Sequence, residues 1–501
     1  MLRQKSLIQT FKPAGLFERT SSQEYANRPF LVQGQNNLLT YDQFNNRIGQ
    51  YASLLSSKYN LKKGDRLLSR TSKTVDNAAL YFATLRLGVV YIPLNPGYTT
   101  KETKHFVNDG EPKVMITCEP KGDSEFSSLI QAVVHENQLA KEANSHKPIL
   151  EAEHVETDDI ATILYTSGTT GLPKGAMLTH GNLTSNSEVL ADIWQFTKSD
   201  ALLHLLPFYH IHGLIVCMGA SLFSKSTQVF RPKFDLHDAL DWMPKSSVFI
   251  GVPTFYTRLM SDTKAFNEEK FRSIRVFICG SAPLTSATWN AFKDHTGHPI
   301  LERYGMSETL VSISNPYEPS GRIPGSVGIA VPGTDVRLGK NDVIEVKGPS
   351  VFKGYWKLPE KTAKEFTSDG YFQTGDVGEV DDKGYYKIMA REKDMIISGG
   401  LNVYPKEVED KIDQLDLVKE VAIIGVPHAD FGEAVVAVCI PKTYPAPDGL
   451  ADKLKAEVKS CLANYKRPKK FIFVEDYHRN FIGKIQKNKL RDQYKTLFTS
   501  S

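Results

Sequence analysis

From about Tyr41 to about Thr309 the chain alternates between two hydrophobic spacings. Apolar residues recur every three or four positions, as at Ala78, Phe82 and Leu85, then give way to β-branched runs such as Val89-Val90-Tyr91-Ile92. The first spacing places apolar side chains on one face of a helix, and the second suits a buried strand. Further strands are predicted at Val114–Thr117, Ala161–Tyr165, Leu202–Leu206, Val248–Val252 and Arg275–Cys279. Helical patterns separate most of them, which implies an α/β architecture with mostly parallel sheets. The stretch from Glu119 to Asp159 is rich in acids, lysine, serine and histidine and reads as a loop-rich connection. Leu214–Phe223 is the longest apolar candidate, but it contains Gly219 and Ser221 and reads as core. It falls short of the ~18 apolar residues that a membrane span requires.

After Asp335 the texture changes to short strands with turn signals, at Val343–Val346, Tyr371–Thr374 and Gly384–Met389. This predicts a β-rich subdomain over about 335–390. A second boundary falls near Ala390–Asp394, followed by an α+β pattern. Pro405 suits the first position of a helix whose apolar face carries Val408, Ile412 and Leu415. Strands at Val421–Val426, Ala434–Ile440 and Phe471–Val474 follow, with a helix through Leu454, Val458 and Cys461.

Composition narrows the function classes. At 501 residues, two or more domains are expected. Hydrophobic residues make up 41% and charged residues 24%, values of a globular chain rather than a disordered one. A net charge of +4 is too small to point to nucleic acid. The five cysteines are scattered without a CxxC pair, so a zinc site or disulfide framework is not indicated and a reducing compartment is the default. Before Glu18 the chain carries Arg3, Lys5 and Lys12 among Leu2, Leu7, Ile8 and Phe11. That segment fits a mitochondrial transit peptide or a short basic tail equally well, leaving cytoplasm and mitochondrial matrix both open.

Residues 165–176 read Tyr-Thr-Ser-Gly-Thr-Thr-Gly-Leu-Pro-Lys-Gly-Ala. A predicted strand runs into glycines, hydroxyls and one lysine. Glycines let backbone N–H groups approach phosphate oxygens, hydroxyls donate further, and the ammonium offsets charge. A Walker loop is absent, since GxxxxGK[ST] does not occur there. The segment resembles the phosphate loop of the adenylate-forming superfamily, which includes acyl-CoA synthetases, luciferases and peptide-synthetase adenylation domains. Further stretches match in order: Tyr304-Gly305-Met306-Ser307-Glu308-Thr309, Tyr371 through Asp376, Arg391-Glu392-Lys393-Asp394, Gly399 through Pro405, and Gly483-Lys484.

The resemblance implies a nucleotide-binding N-terminal domain over 15–392 made of two helix-flanked sheets plus the β-subdomain. A small mobile α+β C-terminal domain over 393–501 would hinge at Lys393, preceded overall by an extension over 1–14. It also implies ATP, Mg²⁺ and coenzyme A, with no obligate protein partner. Thr166, Ser167, Gly168, Thr169, Thr170 and Lys174 would cradle phosphates. Glu308 would hold Mg²⁺, with Thr170 beside it, and Thr309 would bond the α-phosphate. Tyr304 would stack on adenine, and Asp376 would accept from the ribose, helped by Arg391. Lys484 would bridge the substrate carboxylate and the α-phosphate, and the loop containing Gly400 would serve the thiol step.

Arg303 bears on the substrate. A guanidinium in an acyl pocket is costly unless an anion pairs with it. A second carboxylate on the substrate would supply that anion in bidentate geometry. Segments His210–Gly213, Gly251–Leu259, Leu301–Met306 and Ile424–Gly432 closely resemble the malonyl-CoA synthetase branch of the superfamily. That likeness implies malonate or a related small diacid such as methylmalonate, with Ser281 supporting and His210 shaping the pocket wall. A rival role for Arg303 is a structural pair with Glu302. A short- or medium-chain monocarboxylate ligase, a carrier-protein ligase and a non-catalytic nucleotide-binding scaffold remain as alternative readings. His210 and His212 would share a face on a strand, but no third metal ligand is spaced nearby.

Overall fold

The computed structural model describes residues 25–34, 37–119, 123–166, 173–428, 430–479 and 484–498. The extension expected over 1–14 lies outside them. Two large sheets dominate the N-terminal part. One runs Gly354–Tyr355, Lys174–Thr179, Ile160–Thr166, Val90–Pro93, Arg66–Arg70, Val114–Thr117 and Ala132–His135. Its pairings are parallel except at Lys174–Thr179, which turns back against Ile160–Thr166 and carries Gly354–Tyr355 on its other edge.

The nine-stranded sheet centres on Ala201–His204, Val248–Gly251, Val276–Cys279 and Leu301–Met306, paired parallel. Antiparallel strands close its ends. The main core lies between the two sheets and includes the buried faces of helices Tyr41–Ser57, Val75–Arg86 and His180–Ile193. Separate apolar clusters cover each outer face. Helix ends are locally specified. Thr179 and Asn182 cap helix His180–Ile193 reciprocally, and the Asn182 amide also donates to the carbonyls of Pro349 and Val351 at 2.7 and 2.9 Å.

Asp335–Leu338, Val343–Lys347, Phe372–Val380 and Tyr386–Arg391 form a four-stranded antiparallel sheet where the β-rich texture was read. Beyond it, Val418–His428 and Gly432–Pro441 form the long hairpin of a five-stranded sheet covered by apolar clusters on both faces. Pro405 opens helix Pro405–Asp413, and Val408 and Ile412 are buried as the pattern required.

One expectation is corrected. The Glu119–Asp159 stretch contains strand Ala132–His135 and helix Glu136–Ala143. The strand is four residues at a sheet edge, and the helix buries only Leu139 and Ala143, so neither leaves a strong periodic signal. His210 and His212 do not share a strand. His212 begins a π-helical turn over His212–Cys217, and the bend brings Gly213 against the Pro207 carbonyl, 2.2 Å from where a Cβ would sit.

Candidate functional site

Strand Leu301–Met306 carries two of the expected residues, Arg303 and Tyr304, and alternation sends these neighbours to opposite faces. Arg303 is 2% exposed. Its Nε and Nη2 are buried without a hydrogen-bond partner, and among the described residues no carboxylate pairs with it. Burial lowers its pKa to about 10, which leaves it a cation at neutral pH. The guanidinium lies over Gly280, where any Cβ would stand 2.6 Å from Nε. Parallel pairing of Val276–Cys279 with Leu301–Met306 brings these distant residues together.

The next residue, Ser281, has φ +70° and places its Oγ 3.1 Å from His212 Nδ1. Nε2 of His212 is buried without a partner. Burial and then the Arg303 charge hold His212 neutral, well below the ordinary imidazole range. His210 is pushed down to about 4 by burial, and its ring lies tilted against that of Tyr209 with centres 4.7 Å apart. The pocket therefore presents one cation and two neutral imidazoles.

Glu302 points to the other face and does not pair with Arg303. Burial raises its carboxyl to about 8, partly offset by Lys406 of helix Pro405–Asp413. The structural pairing considered for Arg303 is thus absent.

A second cluster surrounds Asp376. Its Oδ2 accepts from the Tyr304 hydroxyl at 2.6 Å, and Arg391 Nε lies 2.7 Å from Oδ1. The Asp376 N–H donates to Thr374 Oγ1, whose hydroxyl donates to the Ile344 carbonyl at 2.8 Å. Lys484 reaches this cluster from the C-terminal part. Desolvation and then the Arg391 charge lower its pKa to about 8, with Asp376 and Asp394 opposing. Arg491 pairs with Asp394 at 2.6 Å, linking helix Lys487–Tyr494 to the turn that contains Lys393.

Glu308 forms a third cluster. It is buried, and its Oε1 accepts from Tyr355 Oη at 3.0 Å and Thr166 Oγ1 at 3.3 Å. Burial raises its carboxyl above the usual range. Among the described residues Glu308 has no ion pair, and its carboxylate with the Thr166 hydroxyl beside it offers hard oxygens of the kind that suit a Mg²⁺ ion. Lys174 sits with Nζ 5.2 Å from the Tyr355 ring centre. Thr309 is fully buried, and its hydroxyl faces the Leu310 carbonyl at 3.4 Å.

Ser167, Gly168, Thr169 and Thr170 lie outside the described residues. Gly400 stands apart from the three clusters at an exposed turn with φ +79°. Sequence reading missed the roles of Tyr355, Thr374 and His212. Thr374 sits inside a motif already singled out, whereas Tyr355 carries no local signal. The basic run at Lys466–Lys470 is partly occupied internally, since Lys466 pairs with Glu407 and Arg467 bonds the Leu462 carbonyl.

Known proteins resemble this chain over most of its length. A family model described as AMP-binding enzyme matches residues 17–356, and one for the AMP-binding enzyme C-terminal domain matches 407–484. A malonate–CoA ligase of Arabidopsis thaliana is 34% identical over 475 residues, covering 86% of this chain and 78% of the relative. A long-chain-fatty-acid–CoA ligase of Bacillus subtilis is 30% identical over 491 residues, covering 86% of each. ATP-bound MatB from Rhodopseudomonas palustris superposes with a TM-score of 0.93 at 42% identity, covering 97% of this chain and 99% of that one.

An unpaired buried cation should weaken the ligand-free fold. Arg303→Met is expected to raise the thermal and urea midpoints, corresponding to about 1–3 kcal/mol of added stability. A lower midpoint would mean that the guanidinium is structural.

Proposed function

The chain belongs to the AMP-binding enzyme family, and from that premise we propose that it joins malonate to coenzyme A with ATP. The reaction runs through malonyl-adenylate and releases pyrophosphate, then AMP. A free carboxylate is a poor acylating agent because oxide would have to leave. Attack of one carboxylate oxygen on the α-phosphorus turns that oxygen into part of a phosphate leaving group. The CoA thiol then attacks the acyl carbon and AMP departs.

The observation that carries the substrate assignment is Arg303, a cation walled in beside Gly280 with two donors unsatisfied. Malonate is short enough that one carboxylate meets this guanidinium while the other is presented for activation. Two charge-assisted hydrogen bonds fix the far end. Neutral His212, with Ser281, and His210 complete a polar wall without adding a second charge that would compete. No general base is needed, since the nucleophile is already ionised.

At the near end, Lys484 bridges the attacking carboxylate and the α-phosphate, and Lys174 offsets charge on the outer phosphates with the loop from Thr166. Asp376 accepts from the ribose hydroxyls. Arg391 and Tyr304 hold that carboxylate in place, and the Tyr304 ring packs against adenine. Mg²⁺ would be held by Glu308, with Thr170, and would supply neutralisation of phosphate charge. The Thr309 hydroxyl, which donates to the Leu310 carbonyl in the free protein, would turn to the α-phosphate in the complex. Lys393 is the hinge between a domain over 15–392 and one over 393–501, whose rotation would replace Lys484 by the loop around Gly400 for the thiol step. The compartment is cytoplasm or mitochondrial matrix; among the described residues no helix is long and apolar enough to cross a membrane.

The rival is a monocarboxylate–CoA ligase, supported by the long-chain relative. Its acyl tail would leave the Arg303 charge buried and unpaired, a cost of several kcal/mol.

The test is CoA-dependent AMP release with malonate, methylmalonate, succinate, acetate, butyrate and octanoate. Malonate should be turned over fastest. Arg303→Ala should cut malonate turnover about 100-fold or more while changing butyrate turnover little. Equal losses on both acids contradict the assignment.

The pH profile tests Lys484. Its ammonium is the competent form, and a pKa lowered to about 8 means the cation is present below that pH and lost above it. Adenylation kcat/KM should therefore fall about tenfold per unit above pH 8. Lys484→Arg should be slower yet flat over the same range. An unchanged limb in that variant assigns the titration to another group.

A further inference from the structure

Helix Thr100–Gly110 touches both ends of the phosphate loop. Tyr165 and Thr166 end the strand that enters the loop, and Pro173 immediately precedes strand Lys174–Thr179, which leaves it. On the entry side, the Tyr165 hydroxyl donates to Asp109 Oδ2 at 2.6 Å. On the exit side, His105 Nε2 donates to the Pro173 carbonyl at 2.8 Å. His105 and Asp109 are four residues apart, so one face of one helix makes both contacts.

The surroundings fix this corner further. The Asp109 main-chain carbonyl accepts from Trp356 Nε1 at 2.9 Å, and the Trp356 N–H donates to the Gly175 carbonyl at 2.8 Å. Phe106 meets the Tyr165 ring edge-on at 4.8 Å. Gly110 leaves room for the phenol, because a Cβ there would lie 3.2 Å from Tyr165 Oη and 2.9 Å from Ile92 Cδ1. The helix start is set by the reciprocal cap between Thr99 and Glu102.

Thr166 at the end of one strand and Lys174 at the start of the next carry groups that would face the phosphates, so holding these two strand ends sets where Thr166 and Lys174 stand relative to the triphosphate. We propose that His105 and Asp109 are positioning residues for adenylation, holding the two stems of the phosphate loop in register from a single helix. The inference rests on the ATP-dependent reading above, and neither residue touches a reacting atom.

Malonate-dependent ATP–pyrophosphate exchange isolates the first half-reaction. Supplied malonyl-adenylate with CoA isolates the second. His105→Ala, Asp109→Ala and Tyr165→Phe should each raise the KM for ATP in exchange at least fivefold. The KM for malonate and the rate of thioester formation from supplied adenylate should stay within twofold. His105→Gln and Asp109→Asn keep a donor and an acceptor respectively and should return the KM for ATP to within threefold of the unaltered protein. An unchanged KM for ATP overturns the proposal. So does an equal loss in both half-reactions, or a loss that merely follows the melting midpoint across the five variants. If the unaltered protein shows no malonate-dependent exchange, the functional reading fails and takes this inference with it. Exchange that is present but insensitive to the variants removes this inference alone.

Discussion

A guanidinium buried without an acid is the constraint around which the acyl side of the site is organised. Moving such a group out of water costs several kcal/mol, and an arginine cannot escape by losing its proton at neutral pH. The fold tolerates Arg303 because a central strand holds its backbone and Gly280 leaves space for its planar head. Ser281 and the neutral His212 sit beside it without supplying a counter-charge. The fold therefore carries an electrostatic debt that a dianion of the right length would cancel. In this account the unfavourable term of the free protein is the favourable term of the complex.

The nucleotide side works differently. Asp376 is held on both oxygens, and its N–H is held by Thr374, so its direction is set before any ligand arrives. Glu308 is likewise gripped by Tyr355 and Thr166, from strands distant in the chain. Lys484 reaches the Asp376 cluster from the far end of the sequence, with its charge weakened by burial and by Arg391. A substrate anion placed there would hold the ammonium to higher pH. Both ends of the proposed acyl-adenylate thus meet cations, Arg303 at the free carboxylate and Lys484 at the acyl–phosphate end.

Much of this was legible from residue order. The strands Val114–Thr117 and Val343–Lys347 and the helix opened by Pro405 follow from local spacing, because burial on a sheet or helix face imposes its period directly on the sequence. The nucleotide residues were legible through motif resemblance, and Asp376, Arg391, Tyr304 and Lys484 do converge. What was not legible depends on pairing between distant segments. Tyr355 reaches Glu308 because a two-residue strand adds to the edge of Lys174–Thr179. The cradle of Arg303 depends on the register between Cys279 and Glu302, which no local pattern encodes. The path of the His210–Gly213 turn was not legible, because it is set by the close approach of Gly213 to a carbonyl rather than by side-chain period.

The most direct measurement is a crystal structure of the protein with malonyl-adenylate bound. The account predicts that the Arg303 guanidinium makes two hydrogen bonds to the free carboxylate of the malonyl group, with Lys484 on the acyl–phosphate side. An Arg303 side chain turned away from the ligand, with that carboxylate held by other groups or by solvent, would contradict it.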